Sequence, residues 1–169
     1  MGILALPIGD PELKEQELYV EPFLVYDCRE NNVQSDIHVE NLDFENLWLL
    51  KEGHCLRTQV YHICEQSSNS VRNNLNFVFE SGSMDSLLRF AKSNKGMTII
   101  PHLATMDFSK IEQASIKHFT GLVPSRSVGL ITHQFFVKKK LVLELSKIIR
   151  DAVKGYIPYQ DKTEIVKPL

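Results

Sequence analysis

The chain has 169 residues, of which 43% are hydrophobic and 24% charged, and its formal net charge is −2. That length allows one domain or two small lobes with real cores, while the charge balance excludes a segment that grips nucleic acid by itself, because phosphate binding needs a basic footprint. No apolar run reaches membrane-spanning length, and the first residues do not form a signal peptide.

The chain opens on Gly2-Ile3-Leu4-Ala5-Leu6-Pro7, a buried-strand pattern without a lead-in. The first residue is expected already inside the fold, as in a piece of a longer chain. Residues 8–14 carry Gly9-Asp10-Pro11 and read as a loop. Residues 17–28 alternate well enough for a strand, in which Pro22 marks an edge position or a bend. Residues 29–36 form a polar loop, 39–46 hold a short helix, and Leu47-Trp48-Leu49-Leu50 is a short buried strand. Gly53 then breaks the chain before a helix over residues 54–66.

A polar stretch, 67–74, returns the chain to a strand at 76–80. Ser83 is a good N-cap for a helix whose Met84, Leu87, Leu88 and Ala91 form an inward stripe. Gly96 ends that unit before the strand Met97-Thr98-Ile99-Ile100-Pro101, and residues 115–119 and 127–132 are further strands. Residues 137–154 form an amphipathic helix with Leu141, Leu145, Ile148, Ile149 and Ala152 facing in. Its start, Lys138-Lys139-Lys140, reads as solvated, and the tail from Tyr156 as loose. Short strands alternating with helices predict an α/β fold with a largely parallel sheet.

Three cysteines are too few for a secreted disulfide framework, so a reducing, intracellular setting is expected. Cys55 and Cys64 flank the apolar stripe Leu56, Val60, Ile63. On a helix they would lie about 13 Å apart along the axis and on nearly opposite faces, since nine steps of roughly 100° leave about 180°. A disulfide needs Cα atoms within about 7 Å. If the two bridge, the helix must come apart.

Cys55 stands at the helix N-terminus, where the dipole favours an anion, and His54 and Arg57 beside it add positive charge. That setting predicts a lowered pKa and selective oxidation to sulfenic acid by a small peroxide. Cys64 borders the apolar stripe and would act second, resolving the sulfenate. Two other readings stay open. Both cysteines can be plain core. His54, Cys55, His62 and Cys64 can also be read as a metal set, although on a helix the four do not share a face. Cys28, at a strand end, reads as a bystander.

Gly53-His54-Cys55-Leu56-Arg57-Thr58-Gln59 followed by Cys64 resembles the redox motif of the OxyR-type peroxide sensors among the LysR-type transcription regulators. Ile3-Leu4-Ala5-Leu6 and Tyr19-Val20-Glu21-Pro22-Phe23 resemble that family's strands leading to the sensing lobe. Ser83-Met84-Asp85-Ser86-Leu87 with Gly96-Met97-Thr98-Ile99-Ile100-Pro101 resembles the unit after the cysteines, and Arg126-Ser127-Val128-Gly129-Leu130 the return crossing. The likeness covers roughly residues 3–155. The cysteine motif is its specific part, since the Gly-Met-Thr-Ile-Ile-Pro run is shared by LysR-type effector domains generally.

The resemblance implies a periplasmic-binding-protein-like, two-lobe effector domain with an incomplete first lobe. Residues 1–18 and the helix within 134–155 would belong to lobe I. Residues 19–133 would form lobe II with its hinge strands, 19–28 and 127–133, and 156–169 a tail. Cys55 would be the peroxide-reactive cysteine and Cys64 the resolving one. His54 and Arg57 would support the thiol, Arg126 would match an arginine near the sensing site, and Phe79 an aromatic under the switch. Val78 stands where the family has a histidine, so no proton role is carried over there.

Hydrogen peroxide is the implied ligand, with no cofactor and no metal. The full-length protein would be a cytoplasmic dimer or tetramer. It would bind DNA only through an N-terminal winged helix-turn-helix absent from this sequence, act on RNA polymerase, and be reset by glutaredoxin or another dithiol reductant. The family's peroxide pocket also takes hydroxyl side chains from the absent part. Two alternatives differ in class: a small-molecule-sensing LysR-type effector domain, and an enzyme, a thiol peroxidase, for which the sequence shows no family pattern.

Overall fold

A computed structural model describes residues 1–30, 36–42, 47–51, 55–67 and 83–168. The expected strand at 76–80, and His54 and Phe79 among the candidate site residues, lie outside the described residues.

Strand β1 (Gly2–Leu6) is followed by β2 (Leu13–Asp27), β3 (Asp36–Ile37) and a 3-10 turn at Val39–Asn41. Helix α1 (Cys55–Ser67) and helix α2 (Met84–Ser93) precede β4 (Met97–Pro101). A second 3-10 turn, His102–Thr105, leads to the short α3 (Lys110–Gln113), β5 (Ile116–Phe119), β6 (Val123–His133), α4 (Lys139–Val153) and β7 (Thr163–Ile165).

The organising element is β2. Its first part pairs antiparallel with β6, from Leu13↔His133 to Pro22↔Ser125, with a register shift between Glu17 and Tyr19. Its second part pairs antiparallel with β4, from Phe23↔Pro101 to Asp27↔Met97, and with β5 over Leu24–Tyr26 on the other side. Pro22 therefore stands at the handover from one set of partners to the other. Over Leu13–Pro22 the only described partner of β2 is β6, so Pro22 takes the edge position that the sequence allowed. Beside the register shift, Gly129 sits between β1 and β2, where a Cβ would come within 2.2 Å of Leu6 Cδ1 and 2.9 Å of the Gln16 carbonyl oxygen.

The expectation of a largely parallel sheet is wrong. Among the described strands only β3–β5 and β6–β7 are parallel, apart from the single bridge Leu47↔Met97, and the other pairings are antiparallel. Alternation of strands and helices predicted crossovers, but the long strands β2 and β6 return past each other. Leu47–Leu50 is not a strand either: Leu47 bridges Met97, Trp48 N–H donates to the Met97 carbonyl, and Leu47, Leu49 and Leu50 are buried.

β2 begins four residues before the expected start at Glu17. β1 is only half buried: Ala5 and Leu6 face in, while Met1, Ile3 and Leu4 are exposed, so the first residue is not inside the fold. In α4 the inward face is turned from the predicted one. Leu141, Ile148 and Ala152 face out, and Val142, Leu145, Ser146, Ile149 and Val153 are buried or half-buried. The lysines 138–140 are exposed, as expected. The tail is not loose: β7 adds to β6, and Val166 beyond it is buried.

The local readings hold for α2 and β4. Ser83 caps α2 by accepting from Ser86 N–H, Leu87 and Ala91 are buried, and every residue of β4 is buried. One core joins Phe23 and Val25 of β2, Met97 and Ile99 of β4, Leu87 of α2, Val166, and Leu56, Val60, Ile63 and Cys64 of α1. At the end of β2, the buried Asp27 carboxylate meets Arg29 at 2.8 Å and Lys117 at 3.1 Å. Burial pushes that carboxyl up, and the Arg29 and Lys117 hydrogen bonds outweigh it and hold it below the usual range.

Candidate functional site

Residues 55–67 contain neither Gly nor Pro, and Leu56, Val60, Ile63 and Cys64 recur at the spacing of one helical face. That face is buried, from Leu56 at 6% exposure to Ile63 and Cys64 at 0%. Arg57, Thr58, Tyr61 and His62 are half-buried and Glu65 is exposed. Arg57 Nη1 donates to the Leu50 carbonyl at 2.8 Å. His62 Nδ1 lies 3.4 Å from Glu65 Oε2.

Cys55 is the first residue of α1 and is exposed, while Cys64 is buried, and both are free thiols. Nine steps of regular helix separate their backbones by about 13 Å along the axis, beyond the roughly 7 Å span of a disulfide. Burial pushes the Cys64 thiol up to about 12. At neutral pH it is therefore a protonated thiol without nucleophilic character. Cys55 offers access and Cys64 is withheld by the fold. Cys28 is half-buried at the end of β2, and burial pushes its thiol up as well.

The other candidate residues divide. Arg57 shares α1 with both cysteines. Arg126 lies on β6, and both its described contacts go to Glu21 opposite it on β2: Nε at 2.8 Å and Nη2 at 2.7 Å from Oε1. Glu21 is fully buried, and its second oxygen accepts from Leu103 N–H at 2.9 Å. Arg126 thus closes the β2–β6 crossing. The metal set of four includes His54, outside the described residues.

Sequence reasoning missed Gln59. It lies on the buried face of α1 at 0% exposure, and its Nε2 donates to the Val166 carbonyl at 2.7 Å. Its Oε1 is buried with no hydrogen-bond partner among the described residues. A polar residue three positions after Leu56 and four before Ile63 was the available signal. Beneath α1 a cavity of about 10 Å³ is lined by Leu49, Leu50, Leu56, Arg57, Val60 and Leu87, among others.

The family profile described as the LysR substrate binding domain matches residues 1–154. A probable hydrogen peroxide-inducible genes activator of Streptomyces viridosporus is 25% identical over 155 residues, covering 90% of this chain and 49% of that protein. The HTH-type transcriptional regulator EstR of Acinetobacter baylyi is 29% identical over 137 residues, covering 79% of this chain and 44% of that protein. The chain thus spans about half the length of the curated relatives it matches. The crystal structure of OxyR from Porphyromonas gingivalis superposes with a TM-score of 0.80 at 28% identity, covering 97% of this chain and 74% of that one. The antiparallel β2–β6 crossing, the buried face of α1 and these matches converge: the chain belongs to the LysR substrate-binding domain family, has its periplasmic-binding-protein-like α/β fold, and is a regulatory effector domain, not an enzyme.

Proposed function

We propose that the chain is the redox-sensing regulatory domain of a hydrogen-peroxide-responsive transcription activator, switched by a reversible Cys55–Cys64 disulfide. The observation that carries the reading is the pairing of an exposed thiol at the start of α1 with a fully buried thiol on the same helix, out of each other's reach. Peroxide oxidises the Cys55 thiol to a sulfenic acid with release of one water. The Cys64 thiol then displaces hydroxide from that sulfur, forming the S–S bond and a second water. Two electrons leave the protein and reduce one peroxide.

Because Cys64 is buried and protonated, resolution requires α1 to open first. Opening removes the burial of Leu56, Val60 and Ile63, worth about 1.5–3 kcal/mol each, which the two-electron oxidation must offset. The segment is then a bistable element biased by a covalent bond. In this reading residues 1–18 and 134–155 belong to lobe I, 19–133 to lobe II, and the β2–β6 crossing is the hinge. The resemblance assigns His54 and Arg57 to the support of the reactive thiol and Phe79 to the switch, and Arg126 acts through the hinge. The complete regulator is a cytoplasmic homo-oligomer. It binds DNA through a separate N-terminal domain, acts on RNA polymerase, and is reset by glutaredoxin or another dithiol protein.

Non-reducing peptide mass spectrometry of peroxide-treated protein tests this. A Cys55–Cys64 linked peptide is expected in the wild type, with sulfenic acid trapped on Cys55 in Cys64→Ser. Its absence from the wild type overturns the reading. A second reading, a small-molecule sensor, is favoured by the EstR match and by a cavity of about 230 Å³ lined by Val20, Pro22, Ser125 and Tyr159 at the crossing. A rise in melting temperature with a metabolite, and none of the peroxide chemistry, would select it.

A further inference from the structure

We propose that the C-terminal segment 163–168 is a built-in clamp on the reduced form of α1, released when Cys55 and Cys64 join. The proposal rests on the redox reading above and assigns that switch a regulator within the chain.

Three attachments make the clamp. β7 lies parallel to β6 over Thr163–Ile165, and Val166 N–H donates to the Ser125 carbonyl at 2.8 Å. The Val166 side chain, 4% exposed, belongs to the same core as Leu56, Val60, Ile63 and Cys64. The Val166 carbonyl accepts from Gln59 Nε2 at 2.7 Å, across 107 positions of sequence. Pro168 is buried as well.

Gln59 is an odd choice for this place. A buried amide whose oxygen has no partner among the described residues is a less natural occupant of an apolar face than an aliphatic side chain. What the amide gains is a directional bond to the tail. Gln59 also stands near the middle of the segment that a Cys55–Cys64 bond would close. To shorten about 13 Å to a disulfide's span, residues 56–63 must leave the helical path. The Gln59–Val166 bond and the apolar surface against Val166 are lost with it. What then remains is the three-residue pairing with β6 and its flanking Val123–Lys162 and Val166–Ser125 bonds, and a strand that short without its core anchor opens readily and uncovers the Val123–Ser125 edge of β6.

Linkage gives the sign. A contact made only in the reduced form opposes oxidation, so weakening it favours the disulfide. The exchange to be measured is protein dithiol plus glutathione disulfide giving protein disulfide plus two glutathione, a two-electron transfer.

Two measurements test this on the full chain. Hydrogen exchange by mass spectrometry compares the reduced and peroxide-oxidised wild type, and the amides of 163–167 are expected to exchange at least about tenfold faster after oxidation. Glutathione titration compares wild type with Val166→Ala. The equilibrium is expected to move about tenfold toward the disulfide, ~30 mV to more negative potential. Leu130→Ala, a buried β6 position outside the α1 core, serves as the control and is expected to leave the midpoint in place. A disulfide that forms while the tail amides stay protected, or equal midpoints for Val166→Ala and wild type, overturns the clamp alone. Failure of any Cys55–Cys64 bond to form overturns the redox reading and the clamp together.

Discussion

Helix α1 and the β2–β6 ribbon each bury part of their surface in the protein, yet different bonds hold them. The ribbon is a backbone ladder running from Leu13↔His133 to Pro22↔Ser125, closed by the Glu21–Arg126 pair. α1 satisfies its backbone within itself and meets its surroundings through side chains: the Leu56, Val60, Ile63 face, Arg57 on the Leu50 carbonyl, and Gln59 on the Val166 carbonyl. A ladder yields only when many backbone bonds break together. A side-chain-held helix yields when a few contacts are outbid. The chemistry proposed for this domain thus sits on the element whose release is local, and the element that would carry the movement is the one that stays intact.

The sharpest break of that contrast comes from Arg126→Ala. It strands a fully buried carboxylate, and a loss of about 3–5 kcal/mol is expected in urea denaturation. Adding Glu21→Gln should recover much of it. A loss below about 1 kcal/mol in the single variant would mean that the crossing does not depend on its ion pair.

Ile63→Ala should cost the reduced protein about 2–5 kcal/mol, since Ile63 is fully buried. The disulfide form should lose far less, because α1 has already left the core. Melting both forms of the variant decides it, and an equal loss would erase the distinction between the two regions.

A pH series sharpens the comparison further. The unfolded Cys64 thiol ionises at its ordinary value of 9.0, and burial raises the folded one to about 12. Across that window the unfolded state gives up a proton that the folded state keeps. This contribution is therefore whole below pH 9 and is lost as pH rises toward 12. Urea melts at about pH 8 and about pH 10 should show reduced protein losing more stability than Cys64→Ala. The smallest effect belongs to Arg150→Ala. It removes the Nη2 bond to the Glu17 carbonyl at 2.6 Å, and about 1 kcal/mol is expected because the arginine is exposed.

What the sequence revealed follows the range of the forces involved. Ser83, Leu87, Ala91 and the Met97–Pro101 run were legible because cap, stripe and strand are set within a few residues. So was the reach between Cys55 and Cys64, which depends on helix geometry alone. The inward face of α4 was not. Leu141, Val142 and Leu143 are all apolar, so neighbouring stripes fit the same period, and packing against β2 selects the one through Val142. The tail was misread for the same reason. Its local composition is loop-like, and only the distant edge of β6 and the Gln59 amide make it structure. Gln59 itself was visible as a polar break in an apolar stripe, but nothing nearby in sequence says what it bonds.

The handover in β2 has a mechanical consequence. Three prolines gather there: Pro22 where pairing with β6 ends, Pro101 opposite Phe23 at the tip of β4, and Pro124 next to Ser125 on β6. None has an amide hydrogen to give. The sheet therefore lacks three backbone donors where one strand serves both halves. Along that line it can twist like a fabric along a fold, sparing the bonded rows on either side.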